Sequence, residues 1–304
     1  MTAYRTRAYI ELLIVSLIWG VASPVIKFTL GGISPLPFLT YRFFLATIFG
    51  LVVIFVNRSH KILFTRNFGG IFLYSVFATT IALGLLFLGM NQTTVLDAIL
   101  ITAISPLVTA VFGVLFLKET ITRQEKIGIG IALLGTVITV VEPILDGTTS
   151  TFQLGGNILV MGYLLTNAYS AILAKKLVRK EVKPFVLSNF SFVIGFITIA
   201  PLAFIQTSPT KIISTVTNLT FPFHLGVFYM AFVSGIVAYA LWIKGQKSIE
   251  VSEAGLFAYL TPLFGAPLAV LWLGEKITPI YVLGALIIAF GVLTAEYKKR
   301  KLKS

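Results

Sequence analysis

The chain contains no cysteine, which excludes a disulfide framework and any thiolate metal centre. Charge is also scarce: Asp, Glu, Lys and Arg make up 12% of the 304 residues, about half of what a soluble domain carries. There are only two histidines, His60 and His224, and both fall in or beside connectors without acidic company. An intramembrane hydrolase needs a cluster of acids, histidine or paired Asp, so the chain reads as a non-enzyme. No glycine matches a GxxxxGK[ST] phosphate cradle, which excludes ATP-driven pumping by this chain. No motif calls for a cofactor or a metal.

Apolar length is what the chain has in abundance. Hydrophobic residues make up 57% of it, and the mean hydropathy is +0.96. Apolar stretches recur at roughly 10–30, 36–57, 69–90, 94–117, 124–142, 155–174, 184–206, 223–243, 250–273 and 278–297. Each can cross a hydrocarbon layer of about 30 Å. The pattern predicts an all-α polytopic membrane protein with ten transmembrane helices. Arg5 and Arg7 before the first run resemble a signal peptide, but the run is long and no small-residue cleavage pattern follows, so it counts as the first span.

The net charge of +13 would suit nucleic acid, but the placement of the charges argues against it. With an internal N-terminus, every Lys and Arg except Lys27, Arg42, Lys211 and Lys276 falls in an internal segment or tail. That asymmetry puts both termini on the cytoplasmic side, in the plasma membrane, with the run Lys298–Lys303 as a topology anchor. The partners expected are the lipid bilayer and a small-molecule substrate, with no nucleic acid. The sequence carries no signal of oligomeric state.

Residues 106–135 align with 262–291 at a constant offset of 156, and twelve of the 30 pairs are identical. Pro106/Pro262, Glu119/Glu275, Ile121/Ile277, Thr122/Thr278, Gly128/Gly284 and Gly135/Gly291 are among them. Such a gapless match marks a duplicated unit. Upstream, Val95/Val251, Asp97/Glu253 and Ala98/Ala254 keep the offset, while Lys27 meets Lys175 and Ile33-Ser-Pro35 meets Val182-Lys-Pro184 after small insertions. Five spans per half is an odd number, so the second copy must enter the membrane in the opposite sense. The expected units are 1–148 and 149–304, divided in the Asp146–Thr151 segment, and secondary transporters build sites at such a join.

Several of these stretches together resemble the EamA-type proteins of the drug/metabolite transporter superfamily. They are Ser16-Leu-Ile-Trp19-Gly20, Lys27, Ile33-Ser-Pro35 and Tyr41-Arg42-Phe43, then Pro106…Phe116-Leu-Lys-Glu119-Thr-Ile-Thr and Pro262…Trp272-Leu-Gly-Glu275-Lys-Ile-Thr. The resemblance covers nearly the whole chain. It implies a ten-helix carrier of small metabolites, often an exporter, with a central cavity lined by the first four helices of each half. Small multidrug exporters of that superfamily depend on a first-helix glutamate. Alignment on Ile26-Lys27-Phe28 puts Trp19 at that position, and facilitated diffusion or exchange therefore stands level with proton coupling.

Polar and aromatic side chains inside spans could line a solute pocket. The leading candidates are Trp19, Ser23, Arg42, Tyr163, Asn167, Tyr239 and Tyr259, with Tyr169, Asn189 and Trp242 behind them. Arg42 enters the second span from the same side as Asp97 enters the fourth. The two could form a gate pair, or Arg42 could snorkel while Asp97 starts its helix. Lys27, near the external end of its span, reads as a snorkelling lysine. Pro106, Pro262 and Pro267 remove backbone donors within the fourth and ninth spans, as hinges or as passive kinks. Glu119 and Glu275, between successive helices, suit capping and turn hydrogen bonds, and the paired glycines suit close helix packing. The function expected is secondary transport of an amino acid or related metabolite by alternating access. A nucleotide-sugar or phosphorylated-sugar exchanger, a scramblase and a receptor are the alternatives.

Overall fold

A computed structural model describes residues 3–56, 67–145, 151–246 and 256–301, and these residues form helices and turns. Several features expected from sequence lie outside the described residues: most of the 146–151 divide, the matches at Val251, Glu253 and Ala254, and His60.

The first half runs α1 (Ala3–Leu30), α2 (Pro35–Val56), α3 (Phe68–Gln92), α4 (Val95–Leu117) and α5 (Arg123–Leu145). The second runs α6 (Thr151–Val178), α7 (Pro184–Gln206), α8 (Phe221–Trp242, continuing to Gln246), α9 (Phe257–Leu271) and α10 (Pro279–Lys301). A short amphipathic helix, Pro209–Thr217, joins α7 to α8. The first eight are long and apolar enough to cross a membrane, while α9 and Pro279–Ala295 of α10 are shorter apolar helices. Large apolar side chains stand exposed around the bundle, among them Leu134, Ile197, Leu263, Leu271, Leu286 and Leu293. Such a surface suits lipid rather than water.

The helices pack in a pattern that survives exchange of the two halves. α1 lies against α8 and α9, and α6 lies against α3 and α4. α2 pairs with α7, and α5 pairs with α10. Glycine lets the last pair meet backbone to backbone. A Cβ added to Gly128 would come within 2.6 Å of the Gly291 carbonyl, and one on Gly291 within 2.7 Å of the Gly128 carbonyl. Close contact of this kind holds membrane helices together, because lipid removes the hydrophobic drive between them.

The turns after α4 and α9 repeat one geometry at the offset of 156. Lys118 (φ 57) and Gly274 (φ 69) both take the left-handed conformation. Their successors donate N–H backwards, Glu119 to the Gly113 carbonyl at 3.2 Å and Glu275 to the Ala269 carbonyl at 3.1 Å. Both copies therefore end their fourth helix with the same left-handed cap. After the first, Thr122 and Glu125 form a reciprocal capping box at the start of α5: the Thr122 N–H reaches the Glu125 carboxylate at 2.6 Å, and the Glu125 N–H reaches the Thr122 hydroxyl at 3.2 Å.

Regular α-helix is interrupted where the halves correspond. α3 carries a π segment at Val76–Ile81 and α8 carries one at Tyr229–Val237. α4 breaks at Ile104, between Val95–Ala103 and Ser105–Leu117. A 3-10 segment, Leu256–Leu260, forms the start of α9, which becomes α-helix at Thr261 and whose apolar span begins at Phe257. Pro106 and Pro262 stand in the first turn of the second piece of their helix, where the missing N–H has no intrahelical partner to lose. Pro267 lies inside α9.

Candidate functional site

The irregular segments surround a central cavity of about 330 Å³ at the join of the halves. Each break contributes matched residues: Thr102 and Ser105 from α4 against Ala258 and Thr261 from α9, both at the offset of 156. The first helices match as well, since the register that pairs Lys27 with Lys175 pairs Trp19 with Asn167 and Ala22 with Ser170, and all four line the cavity. The π segments supply Ala78, Thr79, Met230 and Ser234. A π turn shifts the hydrogen-bond ladder and exposes carbonyls. One is used at once: the Trp19 indole N–H donates to the Ser234 carbonyl at 3.2 Å, which fixes the ring over the cavity.

Six of the seven leading candidates, Trp19, Ser23, Arg42, Tyr163, Asn167 and Tyr239, line this space. Tyr259 does not, although its neighbour Ala258 does. Tyr169 packs between Phe77 and Phe116 instead, and Trp242 packs on Trp19 with ring centroids 5.3 Å apart. Sequence reasoning missed Tyr74, Ser188 and Ser191 of the lining. Ser191 had a signal, because the register that matches Pro35 with Pro184 puts it opposite Arg42.

Arg42 and Asp97 are not brought together as a pair. Arg42 is 5% exposed, its Nη1 has no hydrogen-bond partner, and its guanidinium lies 5.7 Å from the ring centroids of both Phe43 and Phe87. Asp97 faces α6, where its carboxylate accepts from Gln153 at 3.0 Å and Asn157 at 3.1 Å, with the Thr93 hydroxyl at 3.3 Å. The Thr94 hydroxyl caps the same helix start by accepting the Asp97 N–H at 3.0 Å. Asp97 is thus satisfied by neutral donors at a helix N-terminus, where negative charge is favoured.

Lys27 does not snorkel. Its ammonium donates to the carbonyls of Met90 at 2.8 Å and Thr93 at 2.6 Å, closing the C-terminal end of α3. Two residues further on, the Glu275 carboxylate accepts the N–H groups of Val95 at 2.7 Å and Leu96 at 2.9 Å, capping the start of α4. The capping role expected of Glu275 is real, but the helix it caps belongs to the other half. A cation at a helix C-terminus and an anion at a helix N-terminus both suit the macrodipole, so the α3–α4 connector is clamped from both sides. Burial pushes the Glu275 carboxyl above the ordinary Glu value of 4.5, outweighing the Val95 and Leu96 donors and Lys27, while Asp97 pushes the same way.

At the opposite end of the bundle the equivalent residues do something else. Glu119, the counterpart of Glu275, pairs with Lys175, the counterpart of Lys27, at 2.5 Å, and lies 3.7 Å from Arg179. All three side chains are substantially exposed. The clamp is engaged at one end; at the other, where the α8–α9 connector lies outside the described residues, the acid and base pair with each other. The cavity reaches towards that second end as far as Ser188, about one turn from the start of α7.

Two exchange-related sets of apolar helices around one cavity define a membrane transporter architecture. The EamA-like transporter family matches residues 6–141 and again 154–296, and the chain belongs to that family. Among its relatives, an uncharacterized transporter of Bacillus subtilis, YyaM, is 25% identical over 95% of this chain and 93% of its own length. A probable amino-acid metabolite efflux pump of Escherichia coli is 25% identical over 92% of this chain and 91% of its own. One crystal structure superposes with a TM-score of 0.64 over 98% of this chain and 99% of that one, at 16% identity, a likeness of fold alone.

Proposed function

We propose that the chain is a secondary transporter, acting as an exporter, of a small organic metabolite such as an amino acid or related compound. It works by alternating access between inverted repeats 1–148 and 149–304, in a plasma membrane with both termini cytoplasmic. The observation that carries this reading is the inequality of the two ends. Lys27 and Glu275 grip the α3–α4 connector at one end, while Glu119 and Lys175 pair with each other at the other. Two copies of one unit in unlike states are what a carrier caught on one side of its cycle presents. The charge asymmetry supports termini inside, and in that orientation the gripped end faces outward and the cavity faces the cytoplasm.

The E. coli relative named for amino-acid metabolite efflux supports the solute class. A sugar-phosphate exchanger fits less well, since Arg42 is the only cation among the described cavity-lining residues. The test is counterflow in proteoliposomes with labelled amino acids and related metabolites, with and without a pH gradient. Saturable flux above empty liposomes is expected for at least one compound. Flux at the empty-liposome level across the panel refutes transport of this class, and dependence on the gradient decides between proton coupling and facilitated diffusion or exchange.

A further inference from the structure

The inference rests on the central cavity being the permeant's site. Its walls carry one full charge, the Arg42 guanidinium, and no Asp or Glu among the described lining residues. The Nη1 of that guanidinium has no hydrogen-bond partner, and the side chain is only 5% exposed. Removing an ion from water costs several kcal/mol when nothing replaces the lost hydration. The faces of Phe43 and Phe87, each 5.7 Å away, return only part of that. In the matching register the second half offers Ser191, so the repeat brings no balancing charge.

From this geometry we infer that Arg42 is the anchor for a carboxylate, and that among amino acids and related compounds the permeant is one that enters the cavity as a monoanion with an apolar body, not as a zwitterion. A guanidinium offers a planar fork of donors that a carboxylate matches with two parallel hydrogen bonds. One bound negative charge neutralises the cavity, whereas a phosphate-type dianion would leave one charge uncompensated. An organic cation would meet like charge and no acid. The remaining wall suits the rest of such a solute: Trp19 and Tyr239, with ring centroids 5.5 Å apart, offer aromatic surface, and Ser188 and Ser191 offer hydroxyls. A cavity of about 330 Å³ falls at the small end of ligand pockets, which restricts the body to metabolite size.

The experiment measures equilibrium binding to the purified full-length chain in detergent, using probes that differ only in charge. 3-Phenylpropionate, 3-phenylpropionamide, 3-phenylpropylamine and 2-phenylethylphosphonate, compared at about pH 8.5 where the phosphonate is mainly a dianion, form one series, and isovalerate with isovaleramide form a smaller-bodied one. The carboxylates are expected to bind at least about tenfold more tightly than their amides, which is the scale of one charge-assisted pair. Arg42→Gln should bring carboxylate affinity down to that of the amide, a loss of about tenfold to a hundredfold. Amide affinity should stay within about twofold of wild type and report an intact fold, and Arg42→Lys should fall between. The inference is overturned if either amide, the amine or the phosphonate matches the carboxylates on the wild-type protein. It is equally overturned if Arg42→Gln keeps carboxylate affinity, or if neither carboxylate binds. The same probes in proteoliposomes separate this from the transport reading: binding without flux removes transport and leaves the anion site, while flux that favours amide or amine removes the anion site and leaves transport.

Discussion

Replacing Glu275 with Ala tests the clamp most directly. The substitution removes hydrogen bonds at 2.7 and 2.9 Å to the N–H groups of Val95 and Leu96, residues that are 0% and 2% exposed. Two hydrogen bonds to a charged acceptor contribute about 3–6 kcal/mol before dehydration of the carboxylate is counted. Dehydration of the carboxylate is the largest influence on Glu275 and opposes them, but removing that group leaves two buried N–H groups without an acceptor, which costs the gripped state about 2 kcal/mol. That is roughly a thirtyfold shift between outward-closed and outward-open populations. Because the native chain lacks cysteine, a single Ser23→Cys thiol in the cavity wall reports access without background. Labelling by an impermeant maleimide from the outer face of oriented vesicles should rise about thirtyfold in the Glu275→Ala variant. Unchanged outer labelling, or a rise confined to the cytoplasmic face, would refute the clamp.

Further outcomes follow from the same geometry. Lys27→Met removes the hydrogen bonds to Met90 and Thr93, so outer labelling should rise here too. The double variant with Glu275→Ala should fall short of the product of the two effects, because both residues hold one connector. Glu275 has a raised pKa in the gripped state and an ordinary one once water reaches it. The gripped state therefore binds the proton more readily and gains stability as pH falls through that raised value. The ratio of outer to inner labelling, which cancels the thiol's own titration, should fall as the pH is lowered through that raised value, and Glu275→Ala should abolish the change in ratio. At the α5–α10 seam, Gly128→Ala or Gly291→Ala puts a Cβ within 2.5 to 2.7 Å of backbone atoms and should cost about 1–3 kcal/mol of thermal stability in detergent. Gly130→Ala, with nothing within 4 Å of the added Cβ, should cost nothing by the same assay. Lys118→Gly relieves a left-handed backbone at φ 57 and should raise the melting temperature by the equivalent of about 0.5–1 kcal/mol.

The spans were legible because an apolar run long enough to cross lipid has few other uses. The seam glycines were legible because both copies keep them. Trp19, Asn167 and Tyr239 stood out as polar or aromatic groups inside such runs, and the structure turns them onto the cavity. Arg42 and Asp97 show what depth alone leaves out. Both enter from the same side, yet rotation about the helix axes sends one to the cavity and the other to Gln153 and Asn157 on α6. Lys27 and Glu275 were placed at one common end, as the structure has them, but without their partners, because those partners are backbone groups that only tertiary packing delivers. The π segments at Val76–Ile81 and Tyr229–Val237 had no signal, since the same residues would form ordinary α-helix without loss of any side-chain pattern.

The match of Arg42 with Ser191 has a consequence for the journey of the solute itself. The scaffold is nearly symmetric, so its two mouths are built alike, but the seat inside is lopsided. A molecule lodged there cannot turn end for end without abandoning its one electrostatic tether. It must go in and come out in a fixed attitude, charged head towards α2, whichever mouth is open. The seat itself sets no direction of travel, while the attitude of a carboxylate held there is dictated by a single residue that the second half does not share.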